Sequence, residues 1–540
     1  MTDPSHPDAL QLDSIIIGAG FSGLYMLHRL RKLGLSARVF EAGDGIGGTW
    51  FWNRYPGARC DVESIEYSYS FSDELQQEWQ WSERYPSQPE VLRYLEHVAD
   101  RFDLRRDIQL STRVTAAQFD EAEQRWRVTT DRGEVATARY CITAVGCLSA
   151  HNLPRIEGID SFAGTIHHTS RWPKQGVDLS GKRVGVIGTG STAIQLIPVV
   201  ARQAAQLTVF QRTPNFSIPA RNAATDPERA RSVKRDYPEI RARARASSFG
   251  AATLEISPRL ASEVSPEEQR RQLEEHWAAG GLGFLGAFAD LLVSPDANQM
   301  VAQFVRDKIR EVVHDPRTAD LLAPRSYPVG CKRLCLDSGY YETFNRDNVA
   351  LVDVNATPIV GVSPTGLRTT EREYPLDALI LATGFDAMTG ALDNIDIRGR
   401  GGASLRDKWA AGPRTYLGIA SAGFPNLFLI TGPQSPSVIS NMVTSIEQHV
   451  EWIAELIGTM EAQKLRLVDP TREAEDAWVE HATLVASATI WSAASCNSWY
   501  LGSNVPGKPR IFTPYVGGVG PYAAKIQEVA RNGYEGFSLT

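Results

Sequence analysis

Cysteine is scarce in this chain: six of 540 residues, at 60, 141, 147, 331, 335 and 496. The closest pair, Cys331 and Cys335, is spaced C-x3-C, with no second pair and no His-x3-His beside it, which argues against a zinc site. So sparse a set reads as free, buried thiols in a reducing compartment. A long hydrophobic run is also missing. The stretch Ile15 to Leu30 is broken by three glycines and carries His28 and Arg29, so it is neither a signal-peptide core nor a membrane span. Met1 to Asp13 holds acids and prolines where a signal peptide needs basic residues, and a cytoplasmic location is expected. Positive charge is not in excess: 56 basic less 63 acidic residues gives −7, which argues against nucleic acid as the main partner. No G-x-S-x-G elbow occurs at Gly188-Thr-Gly190-Ser191, which removes a hydrolase reading there.

What is present is a globular composition, 43% apolar and 22% charged, which rules out intrinsic disorder. At roughly 150 residues per domain the length corresponds to about 3.6 domains. Internal comparison shows two copies of one unit. Ser14-Ile-Ile-Ile-Gly18-Ala-Gly20-Phe-Ser22-Gly23 leads into an apolar helix and then Ala37-Arg-Val-Phe-Glu41. Val184-Gly-Val-Ile-Gly188-Thr189-Gly190-Ser191-Thr192-Ala193-Ile194 leads into another, then Leu207-Thr-Val-Phe-Gln211-Arg212-Thr213. Gly18 to Val39 and Gly188 to Val209 are both 21 residues apart. Each reads as strand, glycine turn, helix and second strand: the first glycine allows the turn, the second admits a pyrophosphate, and the third position must be small for packing.

The strand ends separate the ligands. Glu41 can accept hydrogen bonds from a ribose diol, as FAD presents. The second copy has Gln211 there, followed by Arg212, which can pair with a 2′-phosphate, so NADP is expected. A protein with both sites is a flavin-dependent reductase or monooxygenase.

Strands are expected over 112–116, 126–130 and 135–142. Apolar strands ending in glycine at Gly146 and Gly384 mark where the chain passes between two nucleotide domains. The expected class is α/β, with two Rossmann-like domains, the NADP domain inserted in the FAD domain, and a helical insertion. The limits are 1–147 and 387–540 for the FAD domain, 148–222 and 331–386 for the NADP domain, and 223–330 for the insertion. Arginines 241, 243 and 245 in the insertion read as a solvated helix face rather than a nucleic-acid patch. A long helix is expected at about 441–462, with Ile446, Val450, Ile453 and Ile457 on one side. Glycine-rich tracts near 499–522 read as loops.

Two longer motifs carry a resemblance. Gly47-Gly48-Thr49-Trp50-Phe51-Trp52-Asn-Arg-Tyr55-Pro56-Gly57-Ala-Arg59-Cys60-Asp61 matches GGxWxxxxYPGxxxD, and Phe162-Ala-Gly164-Thr-Ile-His167-His168-Thr-Ser-Arg171-Trp172-Pro173 matches FxGxxxHxxxWP. With Lys332-Arg333, Ala382 to Asp386 and Ser498-Trp499-Tyr500, the chain resembles the type I Baeyer–Villiger monooxygenases from about residue 12 to 540. Within that family it is most similar to the phenylacetone and steroid monooxygenases, and the longer segment Gly432 to Met442 sets it further from the cyclohexanone type.

The resemblance implies that FAD contacts Gly18, Gly20, Ser22, Gly23 and Glu41, then Thr49, Trp50, Phe51 and Trp52, with Cys60, Asp61, Tyr67, Val114 and Met442. It implies that NADP contacts Arg59, the turn Gly188, Thr189, Gly190, Ser191, Thr192, Ala193 and Ile194, and Arg212, Thr213 and Lys332 around the 2′-phosphate. Trp499, on a mobile loop, closes over the nicotinamide ribose. Arg333, held by Asp61, is the implied catalytic residue, and His168 orients the linker between domains. The implied reaction is NADPH- and O2-dependent conversion of ketones to esters or lactones. Dioxygen adds at the flavin C4a carbon, and the resulting peroxide anion attacks the ketone. A guanidinium suits this because it stays charged and donates several fixed hydrogen bonds to the oxyanion. Aryl-aliphatic and cyclic ketones rank above steroid-like ones, with sulfoxidation as a side activity. The expected partners are the ketone and O2, without nucleic acid or membrane, for a monomer (a homo-oligomer being the alternative).

Other readings stay open. An N- or S-oxidising flavin monooxygenase shares both turns, though its histidine motif usually lacks the Trp172-Pro173 ending. A pyridine-nucleotide disulfide reductase needs a cysteine pair after the first unit, where Cys60 stands alone. A non-catalytic FAD/NADP redox sensor would not need Arg333, Asp61 and Trp499.

Overall fold

The computed structural model describes residues 10–540. The reading of the N-terminus as no signal peptide rests mostly on residues 1–9, which lie outside the described residues.

The first sheet has eight strands. β1 (Leu10–Ile17) pairs in parallel with β2 (Ala37–Phe40) on one side and β6 (Val135–Thr143) on the other. β3 (Ile108–Gln109) continues beyond β2. β4 (Val114–Asp120) and β5 (Arg125–Thr130) run antiparallel onto β6. The first of these begins two residues later than the sequence pattern places it and runs on to Asp120, because the alternation of buried residues continues through Ala117 and Phe119. The second sheet has five parallel strands: β7 (Thr165–His168), β8 (Arg183–Ile187), β9 (Gln206–Gln211), β10 (Val349–Asp353) and β11 (Ala378–Leu381). The chain then returns to the first sheet, adding β12 (Asp396–Arg398) beside β4 and β13 (Leu427–Leu429) beside β6. The expected α/β class with two Rossmann-like units is what the sheets show.

The first sheet is covered by α1 (Phe21–Lys32) and α4 (Met442–Gln463). Ile446, Val450, Ile453 and Ile457 lie on one buried face of α4 and share a core with Leu24, Leu27 and Leu30 of α1. Burying each such side chain contributes about 1.5–3 kcal/mol. The second sheet carries α2 (Ser191–Gln203), and between them lies a helical stretch that includes α3 (Pro227–Ala246). The tract expected as loop near 499–522 contains a short helical turn, Trp499–Leu501, and the start of a helix, Val519–Arg531.

Two expectations are corrected. Arg241 and Arg245 are not a solvated face. Four residues apart, they share one side of α3. Arg241 donates to Gln76 Oε1 (2.9 Å) and Ser68 Oγ (2.8 Å), and Arg245 to both oxygens of Glu451 (2.8 Å), so they clamp α3 to the first nucleotide unit. Only Arg243 turns outward, to the exposed Glu255. Nor are all six cysteines free: Cys331 and Cys496 form a disulfide, while Cys60, Cys141, Cys147 and Cys335 are free and buried. Sequence separation of 165 residues hides such a pair, since spacing says nothing of which segments meet. Among the described residues, no helix is long and apolar enough to cross a membrane.

Candidate active site

The two glycine turns have one geometry. Gly18 and Gly188 sit at φ +106° and +114°, and a Cβ on either would lie 2.6 or 2.5 Å from the carbonyl oxygen of Ala144 or Ala382, just past β6 and β11. α1 and α2 both start after a glycine, Gly20 and Gly190, with no side chain capping them. Their first N–H groups are therefore left for a ligand, where the helix dipole favours an anion.

Around the first turn is a cavity of about 530 Å³. Gly18, Gly20, Ser22, Glu41, Thr49, Trp50, Trp52, Tyr67, Val114 and Met442 all line it. Glu41 is buried at the end of β2, its oxygens accepting from the backbone N–H of Ala19 (2.8 Å) and Gly43 (2.7 Å). Burial raises its pKa, and those two N–H groups work against the rise. Tyr67 is held by Trp50, whose Nε1 donates to its hydroxyl at 3.2 Å. Four of the implied FAD residues stand elsewhere. Gly23 is buried beneath the turn, where a Cβ would lie 1.9 Å from the Gly18 oxygen. Phe51 packs under the Gly43–Gly45 loop. Cys60 is buried with its Sγ accepting from Val62 N–H at 3.4 Å, and burial pushes its thiol up. Asp61 belongs to Arg333. Arg113, Asn53 and Ile446 also line the cavity: Arg113 belongs to no motif, Asn53 stands at a variable position of the Gly47–Asp61 motif, and Ile446 had been read only as part of a helix face. An adenine dinucleotide fits this cradle: it is long, glycine-floored, ends at a carboxylate and is walled by Trp50 and Met442.

The second turn is open. Gly190 and Ser191 are exposed, and a Cβ on Gly190 would meet nothing within 4 Å. Ala193 and Ile194 lie on the buried face of α2, and Thr189 Oγ1 ties the turn to the Thr213 carbonyl at 2.8 Å. Lys332 lies near Arg212. Burial, and then the Arg212 charge, lower the Lys332 pKa to about 8. Two cations brought together, with no carboxylate among the described residues hydrogen-bonded to either, suit a doubly charged phosphate. Arg59 is placed differently from its implied role: its guanidinium pairs with Glu83 (2.5 Å), and its backbone is held by Gln195 of α2 (3.0 and 3.3 Å). Thr192 lies against the Tyr55 hydroxyl.

Between the units stands Arg333. Its Nε and Nη2 donate to Asp61 Oδ2 and Oδ1 at 2.8 and 2.9 Å, and Nη1 donates to the Val438 carbonyl at 2.8 Å. Burial opposes the Arg333 charge, but Asp61 and then Tyr500 more than offset it, and the guanidinium is held above its usual range. Three of five N–H groups are used this way, leaving two on a guanidinium that lines an apolar cavity with Val62, Phe249, Leu254, Ile439 and Trp491. Tyr500 also lines it, its hydroxyl pushed up to about 12 by burial, with Arg333 pulling the other way. Tyr500 stood in the Ser498-Trp499-Tyr500 motif without a role of its own, and the Val438 carbonyl was not singled out in the sequence. Trp499 is half-buried beside Tyr500, ring centroids 4.2 Å apart. His168 Nδ1 accepts from Ser170 N–H (3.2 Å), and its Nε2 meets Thr383 Oγ1 (3.3 Å), which donates to the Asn152 carbonyl (2.7 Å). That histidine holds the crossing between the sheets and touches neither cavity's reacting end. Burial lowers its pKa to about 4.

A family profile described as pyridine nucleotide-disulphide oxidoreductase matches residues 15–236. The three cysteines in that range, Cys60, Cys141 and Cys147, are all free, so the match lies in the nucleotide fold and not in a redox pair. A solved structure of oxidized steroid monooxygenase bound to NADP is 54% identical, covering 98% of this chain and 99% of that one, with a TM-score of 0.94. A Baeyer–Villiger monooxygenase of Pseudooceanicola batsensis is 44% identical over 97% of this chain and 95% of its own. A phenazine N-monooxygenase of Lysobacter antibioticus is 44% identical over 98% of both chains. At such identity over nearly the whole length, the chain belongs to the type I Baeyer–Villiger monooxygenases, FAD-containing enzymes that use NADPH.

Proposed function

We propose that this enzyme oxidises apolar ketones to esters or lactones at the cavity beside Arg333, with aryl-aliphatic and cyclic ketones ahead of steroid-like ones. The observation that carries the reading is the bidentate Arg333–Asp61 pair at the edge of an apolar cavity. Bound FAD, reduced by NADPH, supplies the oxygen-activating chemistry. The chain's own residues do the rest. Arg333 stays charged at any working pH and offers its two remaining N–H groups to negative charge developing on the ketone oxygen. Asp61 and the Val438 carbonyl fix the plane of the guanidinium, so little reorganisation is needed during reaction. Leu254, Ile439 and Trp491 keep water away, which strengthens that charge interaction. Arg212 and Lys332 hold the 2′-phosphate, and Trp499 covers the nicotinamide end. The FAD unit comprises 1–147 and 387–540, the NADP unit 148–222 and 331–386, and residues 223–330 are inserted; the two sheets support this division.

A second reading is N-oxidation, favoured by the phenazine N-monooxygenase relative. A panel of ketones beside amines and sulfides decides. Ketone-stimulated NADPH consumption, with a product heavier by one oxygen atom, supports the first reading, and turnover of amines alone contradicts it. Dioxygen and the ketone are the partners proposed, for a monomeric cytoplasmic protein. The cysteines, two of which are bonded, no longer support that location.

A further inference from the structure

The segment from Thr489 to Tyr515, which belongs to the C-terminal stretch of the chain, is pinned to the 223–330 insertion and to residues 331–386. Trp491 Nε1 donates to the Gly330 carbonyl at 3.0 Å, and Asn504 Nδ2 to the Phe385 carbonyl at 2.6 Å, while Lys508 pairs with Asp386. Tyr500 of the same segment lies against Arg333. All of these contacts are non-covalent and can open thermally. One tie is covalent: Cys496 is bonded to Cys331, two residues before Arg333, with Cα atoms 5.6 Å apart. Both cysteines are fully buried. Their neighbours Gly330 and Trp491 line the apolar cavity, and Val438 to Met442 separate that cavity from the FAD cradle.

We propose that Cys331 and Cys496 are a reversible oxidation site, with hydrogen peroxide as oxidant and a dithiol as reductant. The inference rests on the FAD- and NADPH-dependent reading of the enzyme, since reduced flavin that meets dioxygen without a substrate releases hydrogen peroxide. One cysteine sulfur attacks a peroxide oxygen, the O–O bond breaks, and water leaves, giving a sulfenic acid. The second thiol attacks that sulfur and expels the sulfenic oxygen as a second water, forming the disulfide. Two thiols lose two electrons and two protons, and one peroxide becomes two waters. A dithiol reverses the bond by exchange and is itself oxidised to a disulfide. The oxidised enzyme holds the segment with Trp499 and Tyr500 over Arg333, and so slows exchange of the nicotinamide cofactor. The reduced enzyme releases it. An enzyme idling without ketone therefore closes its own site.

The test uses the FAD-loaded full chain, treated with dithiothreitol or with hydrogen peroxide and then alkylated. After peroxide, peptides containing Cys331 and Cys496 should appear as one species two hydrogen masses lighter than the pair of thiol peptides. After dithiothreitol both cysteines should be alkylated. Tryptic cleavage at Arg510, and NADP+ release in stopped flow, should each be about tenfold slower in the oxidised form. Cys496→Ala should keep the reduced enzyme's values under both treatments. Cys331→Ser serves as the second variant, and the wild-type comparison needs no variant at all. Free thiols after peroxide would overturn the proposal, and so would a formed cross-link that leaves cleavage and release unchanged. The cross-link and the cleavage are read without ketone, so an enzyme inert to ketones would sink the functional reading and leave this one standing.

Discussion

The two glycine turns share a backbone and differ in their surroundings. Around the first, side chains of β2, the Thr49–Trp52 turn, Tyr67 and Met442 close a cradle on several sides, and Ser22 is buried. Around the second, Gly190, Ser191 and Arg212 are exposed. One turn is built to retain a dinucleotide and the other to exchange one, although the spacing from first glycine to strand end is the same. Recognition of the anion comes from the shared turn. Residence comes from what covers it, and the second turn is left uncovered at Gly190 and Ser191.

The sharpest break of this comparison is at the small positions. Gly23→Ala puts a Cβ against the Gly18 carbonyl oxygen, so we expect a loss of about 2–4 kcal/mol and poor FAD retention, read by thermal unfolding and flavin absorbance. Gly190→Ala has open space and should keep fold and flavin within about 0.5 kcal/mol, while raising the KM for NADPH where the pyrophosphate approaches. If both substitutions expelled flavin equally, the two turns would not differ as described.

Next in size is the 2′-phosphate. Arg212→Ala and Lys332→Ala should each raise the KM for NADPH about 10- to 100-fold, about 1.4–2.8 kcal/mol, and change that for NADH less than about twofold. Flavin content should not move. Equal losses for both nucleotides would take these residues away from the phosphate. The smallest effect is in pH. Burial and Arg212 bring Lys332 down to about 8, so it is charged below that pH and neutral above it. Binding the phosphate then requires proton uptake above pH 8, and affinity for NADPH should fall there by up to about tenfold per unit, with NADH flat by comparison. Titrations of both nucleotides between pH 7 and 9.5 check it.

The turns, their helices and the face of α4 were legible because local spacing dictates them: a glycine turn and a 3.6-residue stripe are written within a few residues of each other. Glu41 and Arg212 followed from the same register. Arg333 and Asp61 stand 272 residues apart, and only the family motifs joined them; nothing in composition or periodicity does. The places of Tyr500 and the Val438 carbonyl beside Arg333 were not legible: the Ser498-Trp499-Tyr500 motif names no partner for Tyr500, and the other is a backbone atom whose direction depends on packing. The Cys331–Cys496 bond and the Arg241 and Arg245 clamps failed to show for the same reason. In each, the meaning of a side chain is set by a partner from another part of the chain.

The account's central claim is that Arg333, aimed by Asp61 into an apolar cavity, carries the reaction between the two nucleotide sites. The most direct measurement is ester formation from a ketone by Arg333→Ala, with flavin content and NADPH binding recorded on the same sample. The account predicts retained FAD and NADPH binding with product formation reduced at least about 100-fold. Ester formed at the wild-type rate would contradict it.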